Sequence, residues 1–147
     1  SPFIPADRID NFTLGFSRFF NGDFISALHI LVPQLEHSLR HCLKQAGIDP
    51  SGIQSDMTQE SRTLSTMLEK DRELLEKIFT PDIVFEIENI FDFRGGPVIR
   101  HELAHGLISG TACYRPDSIY ACWFIFRLCY LPLFPHWQEV NDMHEKL

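Results

Sequence analysis

A chain of 147 residues with 44% hydrophobic and 22% charged residues can form one domain with a sizeable core, which excludes a disordered protein. Its formal net charge of −7 excludes a general basic surface for nucleic acid, so any RNA must be bound locally or across a dimer. The sequence opens on Ser-Pro-Phe-Ile-Pro without a methionine. We therefore expect residues 1–147 to be a single domain excised from a longer parent protein.

The cysteines and the absence of a leader indicate the compartment. The four cysteines form no Cys-x-x-Cys pair, and Cys122 and Cys129 lie seven residues apart in one apolar segment, a spacing typical of core positions. Free, reduced thiols are the expected state. No basic segment followed by an apolar one has the form of a secretory signal. We expect a cytoplasmic protein whose domain makes no membrane contact.

The first half of the chain predicts two helices and a loop. Apolar residues recur at helical spacing over residues 6–21, and Asp23 can cap the helix that follows. Over residues 25–46 they recur in steps of three and four, as in a long bundle helix. Pro33 should kink this helix without ending it, because the period continues beyond the proline. The polar, turn-rich residues 47–61 predict a loop.

A third helical region is predicted over residues 63–79. Asp71 falls where an apolar residue is expected, so we predict a break near Lys70. Thr80 then predicts an N-cap, and Pro81 suits the first position of a fourth helix.

Two more helices are predicted towards the C-terminus. Residues 95–97, Gly-Gly-Pro, should open a helix of about a dozen residues that ends at Gly110. Asp117 or Ser118 should cap a very apolar helix over residues 119–134, which is shorter than the ~20 residues of a membrane span and is expected at the core or an interface. No strand-like alternation is present. The predicted fold is all-α, a bundle of five to seven helices.

A zinc-site pattern lies in the helix that opens at the Gly-Gly-Pro. His101-Glu102-Leu-Ala-His105 is a literal His-Glu-x-x-His, in which two histidines on one helix face would hold zinc and Glu102 would activate a water. A longer form of this motif would need glycine at Ile108 and histidine at Thr111. The longer form is absent, but the His-Glu-x-x-His pattern itself makes a zinc hydrolase the second alternative function.

The same residues contain an Arg-x4-His pattern, formed by Arg100 and His105. This pattern resembles the Arg-(Asn/His)-x-x-x-His motif of the HEPN superfamily. With the block at residues 31–41, the segment 91–106 is similar to the uncharacterised C-terminal domain of the endoplasmic reticulum membrane-associated RNA degradation protein family. There the motif typically has Asn where this chain has His101.

The resemblance implies a HEPN-like helical bundle and a metal-independent endoribonuclease that works at a symmetric homodimer interface without a cofactor. RNA is then the partner, and a 2′,3′-cyclic phosphate is the expected product. His105 would shuttle a proton and Arg100 would hold the phosphate. We expect the motif in the first turns of its helix, whose N-terminus favours an anion. Since residues five apart lie about 140° apart around a helix, Arg100 must reach around towards His105 or towards the partner's copy.

Supporting residues are predicted on the second helix and beside the motif. Glu36 and Arg40 form an i, i+4 pair, which is either a helix-face ion pair or a pair that orients Arg100 or His105. His101 is expected at the wall of the cleft. Leu107 stands where some HEPN toxins carry a tyrosine that a partner modifies, so that mechanism is not expected here.

Two further possibilities stay open. Many HEPN domains are non-catalytic, so the first alternative function is an RNA- or nucleotide-binding or dimerisation module. An aromatic run near the C-terminus could stack nucleic-acid bases but is expected in the core or an interface; it comprises Tyr120, Trp123, Phe124 and Phe126.

Overall fold

The computed structural model describes residues 1–47, 51–53, 59–92, 95 and 99–136, and this part of the chain is mainly helical. It contains seven α-helices, so the prediction of an all-α bundle is confirmed. In chain order they are α1 (Ile9–Phe20), α2 (Phe24–Gln45), α3 (Leu64–Lys70), α4 (Arg72–Phe79), α5 (Pro81–Phe91), α6 (Ile99–Ala104) and α7 (Pro116–Tyr130). Three short 3-10 segments accompany them: Ala6–Arg8, Ala112–Tyr114 and Leu131–His136.

The first two helices pack closely and carry one wall of the bundle. Asp23 caps α2 as predicted, since its Oδ1 accepts a hydrogen bond from the Ser26 backbone N–H at 3.1 Å. An added Cβ on Gly15 would lie 2.5 Å from Cδ2 of Leu31, so this approach of α1 to α2 requires glycine. The long helix α2 continues through Pro33, as the unbroken period predicts.

The predicted loop at residues 47–61 contains a feature that the sequence did not indicate. Strand β1 (Ser51–Ile53) pairs with strand β2 (Gln59–Ser61) in an antiparallel ladder. Each strand has three residues, which is too short to give a detectable alternation of polar and apolar residues. The expectation of no strand was therefore wrong for this hairpin.

The predicted break near Lys70 is confirmed, because α3 ends there and α4 begins at Arg72. Asp71 lies buried at the junction and pairs with Arg62 at 2.6 Å. Pro81 occupies the first turn of α5 as expected, but the side chain of Thr80 makes no capping hydrogen bond.

Helix α7 buries one face in the core of the bundle, in keeping with its apolar composition. Phe124 and Ile125 are fully buried in the core. The helix begins at Pro116, so Asp117 and Ser118 lie in its first turn, and the prediction that one of them is the cap was wrong. Proline can begin a helix because a first-turn residue needs no N–H partner.

With the 3-10 segment that follows it, α7 forms a helical stretch, Pro116–His136, of 21 residues. This stretch is longer than the sixteen residues predicted, and by length and composition it could cross a membrane. Core helices of soluble proteins pass the same test, and seven of the fifteen residues of α7 are buried in this bundle.

The four cysteines are free and buried, as the core spacing predicts. Burial raises the pKa of Cys42 to about 11, and it raises the pKa of Cys122 and of Cys129 to about 12. Burial also raises the pKa of Cys113. A thiolate is disfavoured at all four positions because an apolar environment cannot solvate the charge.

Candidate functional site

Helix α6, which carries Arg100 and His101 of the motif, is shorter than predicted. It ends at Ala104, and the chain leaves it through Gly106, whose φ of +66° lies in the left-handed region. The Leu107 N–H donates to the Glu102 carbonyl at 2.7 Å, and the Gly106 N–H donates to the Leu103 carbonyl at 3.2 Å. These two bonds are those of a Schellman motif. The prediction that the helix continues to Gly110 was therefore wrong.

The early end of α6 changes the position of His105. The expectation placed both motif residues in the first turns, near the positive end of the helix. Arg100 is the second helical residue described, but His105 lies at the C-terminal cap, just before Gly106. The predicted opening of the helix at Gly96 and Pro97 lies outside the described residues.

Substitution of Gly106 tests this geometry. Gly106→Ala should destabilise the fold by about 1–2 kcal/mol, because a residue with a Cβ is strained at this positive φ. Apart from its chain neighbours, no residue that the structure describes has an atom within 4 Å of the added Cβ, so the expected loss comes from backbone strain. The measurement is urea unfolding followed by circular dichroism.

Gly110→Ala is the matched control, because Gly110 is the residue that the sequence favoured as the end of the helix. Its backbone has no positive φ, and an added Cβ would make an ordinary contact at 3.4 Å with Ile25. We expect a smaller loss of stability for this variant. An equal or larger loss would contradict the assignment of Gly106 as the residue that ends α6.

Arg100 is held between two helices by carboxylates. Its Nε donates to Oε2 of Glu36 on α2 at 2.9 Å, and its Nη1 lies 3.4 Å from Oδ1 of Asp92 at the end of α5. About a quarter of the Arg100 side chain is exposed. Charge-assisted hydrogen bonds of this kind fix both the position and the plane of a guanidinium group. The contact between Glu36 and Arg100 is the geometry that the orienting hypothesis requires.

The ion pair predicted on α2 is also present and extends further. Arg40 Nη1 donates to Oε1 of Glu36 at 2.8 Å, so Glu36 lies between two arginines. The same Nη1 donates to the backbone carbonyl of Arg62 at 2.9 Å. Arg62 in turn pairs with Asp71, so the polar network runs from α6 through α2 to the α3–α4 junction. Ion pairs and hydrogen bonds thus connect the candidate site on α6 to α2 and to the α3–α4 junction.

The two histidines of α6 lie against each other. The ring centroids of His101 and His105 are 4.4 Å apart, with an angle of 58° between the ring planes. Both side chains are exposed to solvent. The i, i+4 spacing therefore brings the rings together on one face, as the His-Glu-x-x-His pattern requires.

One groove joins the site residues predicted from the sequence. It has a volume of about 440 Å3 and lies between α2 and α6. Its lining contains two arginines, one glutamate and two histidines, and Asp92 pairs with Arg100 as well, so two carboxylates match the two arginines. The lining residues are Val32, Pro33, Glu36, Arg40, Arg100, His101, Leu103, Ala104 and His105.

The geometry for catalytic zinc is incomplete in the part of the chain that the structure describes. There, no three His, Cys, Asp or Glu side chains are grouped closely enough to hold a metal ion. Glu102, which would activate the zinc-bound water, is not part of the groove lining. A catalytic zinc normally has three protein ligands, and His101 and His105 supply two.

The aromatic run on α7 contributes nothing to this groove. Phe124 is fully buried, as predicted for a core residue. Tyr120 and Trp123 are exposed and stack on each other with ring centroids 6.0 Å apart. The hydroxyl of Tyr120 donates to Glu86 on α5, which also pairs with Arg127. These side chains form a separate surface between α5 and α7.

Asp92, Arg62 and Asp71 belong to the site network but were not among the predicted site residues. Asp71 gave a weak signal, as a charge at an apolar position of the helical pattern. Asp92 and Arg62 gave none, because their partners lie on other segments of the chain. No protein-family model, curated protein or solved structure matches this chain.

Proposed function

We propose that this chain is a metal-independent endoribonuclease of the HEPN type, in which Arg100 binds the scissile phosphate and His105 transfers the proton. The observation that carries this proposal is the shared groove: Arg100, His101 and His105 line it together, and Glu36 holds Arg100 in place. A positioned guanidinium beside an exposed imidazole is the minimal set for cleavage of RNA by its own 2′-hydroxyl.

The chemistry needs no group from outside the RNA and the protein. His105 takes the proton from the ribose 2′-hydroxyl, and the 2′-oxygen attacks the adjacent phosphorus. The bond from phosphorus to the 5′-oxygen breaks, and that oxygen takes up a proton. The products are a 2′,3′-cyclic phosphate and a 5′-hydroxyl. Arg100 stabilises the extra negative charge on the phosphoryl oxygens during the attack.

Glu36 and Asp92 act as positioning residues in this proposal. They engage Nε and Nη1 of Arg100, and Nη2 makes no hydrogen bond to any other residue that the structure describes. This nitrogen is thus available for a phosphate oxygen. Arg40, on the far side of Glu36, offsets the carboxylate charge that would otherwise repel the phosphate.

A homodimer is part of the proposal because, of the two histidines in the groove of one chain, only His105 belongs to the Arg-x4-His motif. Acid–base cleavage needs a base for the 2′-hydroxyl and an acid for the leaving oxygen. Two facing grooves related by a two-fold axis would supply two histidines to one RNA.

A second candidate function is a non-catalytic RNA- or nucleotide-binding module. The observation that favours it is the pairing of Arg100 with two carboxylates, which reduces the positive charge that the groove offers. Such a groove would hold a phosphate without stabilising a transition state.

The test is incubation of the purified chain with mixed-sequence RNA in excess EDTA, followed by analysis of the new RNA ends. Cleavage that leaves a 2′,3′-cyclic phosphate and is lost in Arg100→Ala supports the ribonuclease. Cleavage that stops in EDTA and returns with added metal contradicts it and restores the zinc hydrolase. RNA binding without cleavage favours the binding module instead.

A further inference from the structure

The His101–His105 pair is preorganised for a second kind of ligand. The rings are already in contact at 4.4 Å between centroids, and both are open to solvent. Two imidazoles that bind one ion through bonds of about 2.0–2.1 Å have ring centroids roughly 4.5–5 Å apart. The separation of the His101 and His105 ring centroids is therefore close to the one that shared coordination of an ion needs.

Backbone hydrogen bonds hold the chain at His101 and His105. The His105 N–H donates to the His101 carbonyl at 3.1 Å, so a helical hydrogen bond joins the two positions. The Schellman bonds to Glu102 and Leu103 close the chain directly after His105. Little backbone freedom is lost when a ligand binds to residues that are held in this way.

We propose that His101 and His105 chelate one exchangeable divalent ion of the zinc, nickel or copper class. Imidazole nitrogen suits these ions, whereas magnesium and calcium prefer oxygen ligands. The groove of about 440 Å3 beside the pair leaves room for the water molecules that would complete the coordination. With two protein ligands the ion stays exchangeable, unlike an ion in a closed structural site.

The bound ion inhibits RNA cleavage in the groove, an inference that rests on the proposed ribonuclease activity. A metal-bound imidazole nitrogen has no lone pair left to accept the proton of a 2′-hydroxyl. The ion thus removes the base of the proposed reaction while Arg100 keeps its carboxylate partners. The two overlapping motifs then have separate roles: Arg-x4-His cleaves, and His-x3-His switches cleavage off.

Calorimetric titration of the untagged chain with zinc chloride tests the site without RNA. We expect one ion per chain and an affinity about tenfold or more lower in His101→Ala and in His105→Ala. His29→Ala is the matched control, because His29 is an exposed helical histidine that bonds to the Ile25 carbonyl outside the groove. Unchanged zinc affinity in both groove variants, or a loss in the control, overturns the site.

The inhibitory role is measured separately as the ratio of RNA cleavage rates with and without saturating zinc. The wild-type rate should fall at least about tenfold, and the ratio should return towards one in His101→Ala. A wild type that cleaves equally well in zinc overturns the inhibitory role. If the wild type cleaves no RNA at all, the proposed function and the inhibition fail together, while the titration still decides the ion site.

Discussion

His105→Ala should lower the initial rate of RNA cleavage by about 10²–10⁴-fold, the usual contribution of a positioned general base or acid. The alanine removes the histidine of the Arg-x4-His motif, which lines the groove with Arg100, and the proposal gives His101, the other imidazole of that lining, no role as a base. The rate is measured in excess EDTA with a fluorescently labelled RNA. Under these conditions a bound metal cannot contribute to either the wild-type or the variant rate.

His29→Ala serves as the control for this prediction too. The side chain is an exposed helical histidine on α2, and it is not part of the groove lining. The His29→Ala variant should cleave RNA at the wild-type rate. Circular dichroism should show that His29→Ala and His105→Ala are both folded. A His105→Ala variant as fast as the wild type would remove His105 from the mechanism.

The largest loss of stability is expected for Phe124→Ala. Phe124 has no exposed surface, and its ring lies 6.5 Å from that of Phe91 and 6.3 Å from that of Tyr120. Its truncation removes a full aromatic ring and leaves a cavity between α5 and α7, which costs about 3–5 kcal/mol. Urea unfolding followed by circular dichroism measures this free energy.

Phe85→Ala is the matched control on α5. Phe85 is the same residue type but is 63% exposed, so its removal should change the free energy of unfolding by less than about 1 kcal/mol. Similar losses in the two variants would show that the Phe124 side chain is not packed in the core.

The all-α fold could be predicted from the periodicity of apolar residues, because each helix buries one face. The steps of three and four along α2 and the break at Asp71 both appear in the structure as predicted. Helix ends were predicted less well, since an end depends on a few local hydrogen bonds. Gly106 and Gly110 both resemble helix-ending residues in the sequence, and only the Schellman bonds distinguish them.

The candidate site was predictable as far as it lies within short sequence motifs. Arg100, His101 and His105 share six residues of sequence, and they also share the groove. The Glu36–Arg40 pair was visible from its i, i+4 spacing. The bonds from Arg100 to Glu36 and to Asp92 depend on how α2, α5 and α6 pack, and periodicity within one helix carries no information about that. The ribonuclease activity itself stays a prediction.

The rates at which the buried cysteines are alkylated report how readily the fold opens around them. Alkylating reagents attack the thiolate, which burial disfavours at Cys42, Cys113, Cys122 and Cys129 alike. In the folded chain Cys113 and Cys122 are only 1% exposed, so these two sulfurs react when the fold opens transiently. Cys42, near the end of α2, is 9% exposed and lines an open pocket, so it should react first. Cys122 lies on α7, so the rate at which its thiol is consumed reports the free energy of local opening of that helix.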